Sequence, residues 1–319
     1  MSNPKSILKV VLPLLLGVAL VWYSLSQISV SKLVQYFKDA NYLWIALGVS
    51  FGVLSHASRA FRWLFMAEPL GYKPKFINSF MAVYSAYLIN FTIPRAGEVA
   101  RASILTNYEE VPFDKGFGTI IAERVADTIM LLIIIGIALV LEFEYIYKFF
   151  IDKFNTTTLI IGAATLVLVI LGIYFFIKRN TSKFAVKVKN FVNGLIEGAF
   201  SIFRMKKKWA FIFHTVFIWV MYLSMFYVTT LALPELHNIS LAAVLIGFIF
   251  ASFSIAATNG GIGSFPEAIV IAFLLFNMPE DPSRAFGWIM WSTQTLVIII
   301  LGGLSLIYLP IYNRNRARI

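Results

Sequence analysis

The chain has 319 residues, 59% hydrophobic and 13% charged, with a formal net charge of +11 and a mean hydropathy of +0.80. A soluble domain carries about 25% charged residues, so this composition excludes a soluble enzyme and indicates one polytopic membrane domain over 1–319. Cysteine is absent, which excludes disulfides and thiolate chemistry.

A membrane-crossing helix needs about 20 mostly apolar residues. Runs of that length lie at approximately 7–27, 43–66, 117–141, 158–177, 209–233 and 286–310. The first follows Lys5 and Lys9 like a signal peptide, but without a small-x-small cleavage site it is expected to be a retained helix. Between the second and third runs, 76–91 breaks at Asn90-Phe91-Thr92-Ile93-Pro94-Arg95-Ala96-Gly97-Glu98 and resumes as a short arm, 95–105. Such an arm extends only about 18 Å at about 1.5 Å per residue, too short for a hydrocarbon core of about 30 Å. A second broken pair, 241–257 and 262–277, is interrupted at Asn259-Gly260-Gly261-Ile262-Gly263-Ser264-Phe265-Pro266-Glu267. In both breaks an asparagine precedes a glutamate by eight residues: Asn90 and Glu98, Asn259 and Glu267. Both pairs read as re-entrant hairpins, hinged at Pro94 and Gly97 and at Gly260, Gly261, Gly263 and Pro266.

Charge sets the sidedness, because short cytoplasmic loops carry excess Lys and Arg. The 178–208 loop holds nine Lys and Arg against one acid, Glu197, and the C-terminus holds Arg314, Arg316 and Arg318. Both termini and that loop are expected in the cytoplasm, and the balanced 142–157 loop and residues 279–285 outside. Within 184–203 apolar residues recur every three or four positions, which predicts an amphipathic helix at the inner surface. Threading the runs through these anchors leaves the ends of the first hairpin inside and those of the second outside. The expected fold is therefore all-α: six spanning helices and two helical hairpins, arranged as an inverted repeat of units at approximately 1–141 and 158–310. Inverted repeats place a transport site near the midplane, where broken elements meet.

Charges within or beside the apolar runs are few. Arg59 and Arg62 lie on the second run, Arg95, Glu98 and Arg101 on the first hairpin, Glu123, Arg124 and Asp127 on the third run, and Glu267 on the second hairpin. Five arginines against four acids leave +1, mostly toward the cytoplasmic side. A planar guanidinium suits phosphate, so a hydrated arginine-rich vestibule for a phosphate-bearing headgroup is expected, with Asn90 and Asn259 beside it. His56, His214 and His237 show no metal-ligand spacing, and Gly260-Gly261-Ile262-Gly263 lacks the Lys-Ser/Thr of a nucleotide-binding loop. No cofactor, metal or nucleic acid is expected.

Residues 90–101, Glu123-Arg124-Val125-Ala126-Asp127, Arg59-x-x-Arg62-Trp63 and Gly261-Ile262-Gly263-x-x-Pro266-Glu267 together resemble the transmembrane, flippase-like domain of lysylphosphatidylglycerol synthase, over nearly the whole chain. The resemblance implies a bacterial cytoplasmic-membrane protein that moves a phosphate-bearing lipid, such as aminoacylated phosphatidylglycerol, between leaflets. Anionic membrane lipids are its implied partners, and a homo-oligomer is compatible with it. Since the chain stops at Ile319, just after its last apolar run, the cytoplasmic synthase domain and its enzyme activity are not expected. Two other classes remain open on the residues alone: an intramembrane enzyme or accessory subunit in lipid-linked glycosyl transfer, and an ion-coupled carrier of a small anion.

Overall fold

The computed structural model describes residues 4–93, 96–143, 205–258 and 260–314, with scattered positions between 157 and 186; side chains are described from residue 15. Pro94, Arg95, Asn259, most of the 142–157 loop, most of the 158–177 run and nearly all of the amphipathic stripe at 184–203 lie outside the described residues.

The described residues are helical, without strands. In chain order the helices are α1 (Pro4–Ser26), α2 (Val30–Asp39), α3 (Tyr42–Ala67), α4 (Phe76–Thr92), α5 (Ala96–Glu109), α6 (Phe113–Leu141), α7 (Lys208–Thr230), α8 (Leu241–Ala257), α9 (Ser264–Leu274) and α10 (Glu280–Tyr312). Three of them, α6, α7 and α10, are long and apolar enough to cross a membrane, and they coincide with three of the six expected runs. The chain forms two compact units, one of 1–123 with 209–319 and one of 124–208; α6 runs from the first into the second.

Helix α2 was not expected. Ser29 caps it, accepting from the Lys32 amide, and Leu33 is buried. Its signal was a cap residue followed by apolar residues at 30, 33, 34 and 37. Helix α10 begins at Glu280, with Pro282 in its first turn, so residues 280–285, expected in an outer loop, are helical. Proline fits a first turn because its missing N–H has no partner there.

Both broken pairs pack as helical hairpins, α4 on α5 and α8 on α9. The element order repeats. Helix α3, a 3₁₀ turn (Glu68–Leu70), α4, a break, α5 and α6 are matched by α7, a 3₁₀ turn (Pro234–Leu236), α8, a break, α9 and α10. Helices α4 and α8 each have 17 residues.

Helix α10 is the spine of the first unit. Its 33 residues extend about 50 Å at about 1.5 Å per residue. Near its end Asn313 and Asn78, at the start of α4, exchange amide hydrogen bonds of 2.8 and 3.0 Å. Further back, a Cβ on Gly302 would lie 2.7 Å from Leu88 Cβ and 2.8 Å from the Tyr84 carbonyl, so α4 runs antiparallel to α10 at backbone contact. Toward the start of α10, Trp291 donates to the Gly260 carbonyl at 2.9 Å, Gly287 abuts Pro266, and Arg284 meets Glu267. The hairpins thus approach each other from opposite ends of α10. Their tips touch: a Cβ on Gly260 would lie 2.6 Å from the Phe91 ring.

Candidate functional site

Beside the first hairpin, four charged side chains are buried almost completely. Arg59 and Arg62, one turn apart on α3, point to the same side as Arg101 of α5. All three guanidiniums converge on the Glu123 carboxylate of α6: Arg59 at 2.6 Å and Arg62 at 2.9 Å from Oε1, and Arg101 at 2.9 Å from Oε2. The exposed fractions are 4% for Arg59, 0% for Arg62, 4% for Arg101 and 1% for Glu123. The sequence suggested a hydrated vestibule; these side chains instead form a closed cluster. Desolvating a charge costs several kcal/mol unless partners compensate, and here neighbours from several helices do so. Arg62 also donates to Thr215 at 3.0 Å, and Arg59 reaches the Tyr222 hydroxyl at 3.4 Å. The Arg101 guanidinium lies over the Trp63 ring, 3.8 Å from its centroid, and the Trp63 indole donates to Thr119 at 2.7 Å. Trp63 is 1% exposed, so this stacking is worth about 1–2 kcal/mol.

Arg124 points elsewhere. Its side chain is 48% exposed and lies 4.0 Å from Asp127, which is buried. Asn90 acts as a clasp across the break, its side-chain oxygen accepting from the Gly97 amide at 2.7 Å. This satisfies an amide that the start of α5 would otherwise leave open. Gly97 is needed at that point, because a Cβ there would sit 2.1 Å from the Ala86 carbonyl. Glu98, in the first turn of α5, is half-buried.

At the second hairpin, Gly260, Gly261 and Gly263 all have positive φ, at 66°, 79° and 69°. Gly263 opens α9 directly against α1: a Cβ would lie 2.4 Å from the Val21 amide nitrogen. Ser264 closes the break through Ser254 at 2.7 Å and Thr258 at 2.8 Å. Pro266 lies in the first turn of α9, against α10, with Glu267 beside it. Glu267 receives a forked pair of hydrogen bonds from Arg284, at 2.9 and 3.3 Å, and a third from Ser24 of α1 at 2.6 Å. Arg284 also reaches Glu280 at 2.9 Å and lies 4.0 Å from Asp281. Sequence reasoning missed Arg284 because it was read as a loop residue. An early helix start, marked by Glu280, Asp281 and Pro282, was the available signal. Lys32 of α2 pairs with Asp281.

Two further polar groupings were also missed. Glu109, at the end of α5, accepts from the Lys75 amide at 2.9 Å and from Asn78 at 2.6 Å, tying the base of the hairpin to the start of α4. Next to Arg59, the His56 ring lies among three tyrosines, with centroids 5.2 Å from Tyr84, 4.7 Å from Tyr87 and 6.0 Å from Tyr222. Among the described residues, no group of three or more His, Cys, Asp or Glu could hold a metal ion.

The sequence of this chain matches the family model for the lysylphosphatidylglycerol synthase TM region over residues 10–303. The chain belongs to this family. It is also 25% identical to a UPF0104 membrane protein of Methanocaldococcus jannaschii, over 95% of this chain and 94% of that one. No solved structure matches it. The chain is therefore a helical membrane protein of this family, and the arginine cluster lies within the matched residues.

Proposed function

We propose that the chain moves a phosphate-bearing lipid between leaflets, with Arg59, Arg62 and Arg101 receiving the phosphate. The observation that carries this reading is the convergence of three guanidiniums on the two oxygens of Glu123. A site that gathers three planar donors around one carboxylate has the donor set and size for one phosphate. Exchange of Glu123 for phosphate replaces one anion with another, so the arginines keep an acceptor and little desolvation is added. Arg101 belongs to the short arm of the first hairpin, while Arg59 and Arg62 belong to the long helix α3. Displacing the arm would open and close the cluster. Hairpins that approach from opposite ends of α10 suit an inverted repeat that exposes one site alternately to each side. Glu98, Asn90 and Glu267 would line or gate that path.

The family's name refers to a phospholipid product, which agrees with a cargo of this class, anionic phospholipid included. By the family resemblance the protein would lie in a bacterial cytoplasmic membrane, and by the charge asymmetry both termini would be inside. It would act as a transporter rather than an enzyme. Reconstitution in liposomes with labelled phospholipids tests the reading. Wild-type protein should move label between leaflets, and Arg101→Lys, which keeps charge but loses the fork and the stacking on Trp63, should slow it about tenfold or more. Label that stays in its leaflet, or an unchanged rate in Arg101→Lys, refutes it.

The closure of the cluster favours one second reading, a carrier of a small soluble anion. Uptake of inorganic phosphate into protein-containing liposomes, with labelled lipid immobile, would select it.

A further inference from the structure

Outside the guanidiniums and carboxylates, four buried polar atoms have no hydrogen-bond partner among the described residues: His56 Nδ1, Tyr84 Oη, Ser85 Oγ and Trp219 Nε1. Their side chains are 6%, 0%, 0% and 8% exposed. Native proteins leave few such groups, and each calls for a partner. Three of them belong to one aromatic shelf. His56 faces Tyr84 and Tyr222, and Tyr222 faces Trp219, with ring centroids 6.3 Å apart. The shelf joins the phosphate site directly, since the Tyr222 hydroxyl lies 3.4 Å from an Arg59 nitrogen and His56 precedes Arg59 by one helical turn.

We infer that this shelf is a headgroup subsite for neutral, hydroxyl-bearing groups attached to the phosphate, such as glycerol, inositol or a sugar. The inference rests on the lipid-transport reading above and names the class of headgroup. Chemistry decides the class. A Trp N–H only donates and so requires an acceptor. A Tyr or Ser hydroxyl and a His nitrogen can both give and take. An ammonium headgroup only donates, so it cannot serve Trp219, and it would sit beside the Arg59 guanidinium. A hydroxyl both donates and accepts and serves every member. The tyrosine and histidine faces add apolar cover for the C–H faces of a polyol. A phosphate in contact with Arg59 would place its next substituent against Tyr222 and His56.

The test uses full-length protein in liposomes and compares three labelled lipids: phosphatidylinositol, phosphatidylethanolamine and phosphatidic acid, which has the phosphate alone. The readout is the ratio of inositol-lipid to phosphatidic-acid transport. Wild-type protein should favour the inositol lipid by about tenfold, since a site built to bond a hydroxyl discriminates strongly against its absence. Tyr84→Phe and Trp219→Phe each remove one partner while keeping an aromatic ring, and each should bring the ratio down by about fivefold or more. Equal transport of the three lipids, or a ratio untouched by both variants, overturns the subsite and leaves the phosphate site standing; the shelf then holds ordered water only. Preference for phosphatidylethanolamine overturns the neutral class. If no lipid moves, the transport reading itself fails and the subsite falls with it. Tyr84→Phe should fold normally, because it deletes a hydroxyl that bonds nothing among the described residues. Near-native melting of that variant guards the comparison.

Discussion

The two hairpins share a plan and carry opposite charge arithmetic. In the first, three arginines surround one carboxylate, Glu123, and no side chain of the cluster is more than 5% exposed. In the second, one arginine, Arg284, lies within 4.0 Å of three acids, Glu267, Glu280 and Asp281. Arg284 is buried, but Glu267 is 14%, Asp281 30% and Glu280 52% exposed. A cluster of arginines on one small anion suits the reception of another anion. One arginine among carboxylates, partly wetted and bonded to α1 through Ser24, has the makings of a latch between α9, α10 and α1.

The largest separation between them should come from Glu123→Gln against Glu267→Gln. Glutamine takes the shared negative charge from three buried guanidiniums and turns one acceptor oxygen into a donor, and breaking a buried pair costs about 3–5 kcal/mol. Glu267→Gln should cost less, about 1–3 kcal/mol, because Arg284 keeps Glu280 and the site is partly hydrated. Thermal melting of the detergent-solubilised variants checks the order. A smaller loss for Glu123→Gln would dissolve the distinction drawn here. Added inorganic phosphate should recover part of the Glu123→Gln loss and none of the Glu267→Gln loss.

The hairpin tips offer the next contrast. Gly97→Ala drives a Cβ to 2.1 Å from the Ala86 carbonyl, which is backbone and cannot rotate away. Opening the α4–α5 contact should cost about 3 kcal/mol. Gly260→Ala meets the Phe91 ring at 2.6 Å, a side chain that can turn, so its cost comes mainly from the positive φ of 66°. A left-handed L-residue costs about 1–2 kcal/mol. Gly97→Ala should therefore lower the melting temperature more, and equal shifts would mean the first hairpin is looser than its contacts imply.

How far these features were legible in the sequence follows from what each depends on. The breaks were legible, because glycine runs and an interrupted apolar pattern act on the local backbone. That charges inside apolar runs must find partners was legible too, but nothing in the sequence separated Arg59, Arg62, Arg101 and Glu123 from the other charges. The sharing of one carboxylate was not legible. It depends on the rotation of α3, α5 and α6 about their axes, and hydropathy does not report rotation. Spacing gave Asn90 and Glu98 the same status, yet Asn90 spends its side chain on the Gly97 amide. Arg284 escaped because hydropathy marks where an apolar run starts, and α10 starts six residues earlier, in polar sequence. The meeting of the tips at Phe91 and Gly260 is a long-range contact with no local signature.

The smallest effect concerns the edge of the second hairpin, where Lys32 of α2 pairs with Asp281 at the start of α10. The Lys32 ammonium is held above its ordinary value of 10.5, first by the hydrogen bond it donates to Asp281 and then by that carboxylate's charge. A raised lysine pKa in the folded state means that the unfolded chain loses its proton first as pH rises. The pair's contribution is thus fully present below 10.5 and fades as pH climbs through the higher folded value. Both side chains reach solvent, at 55% and 30% exposure, so screening keeps the effect small. Asp281→Asn should lower the melting temperature slightly at neutral pH and low salt. The difference from wild type should shrink in strong salt, as exposed pairs do, and narrow in alkali once Lys32 is neutral in both proteins, leaving only the contact of Asp281 with Arg284 at 4.0 Å. The Glu123→Gln deficit should persist in salt, because bulk ions screen a buried cluster far less than an exposed pair. If salt erased both deficits alike, the contrast between a sealed arginine site and a wet latch would not hold.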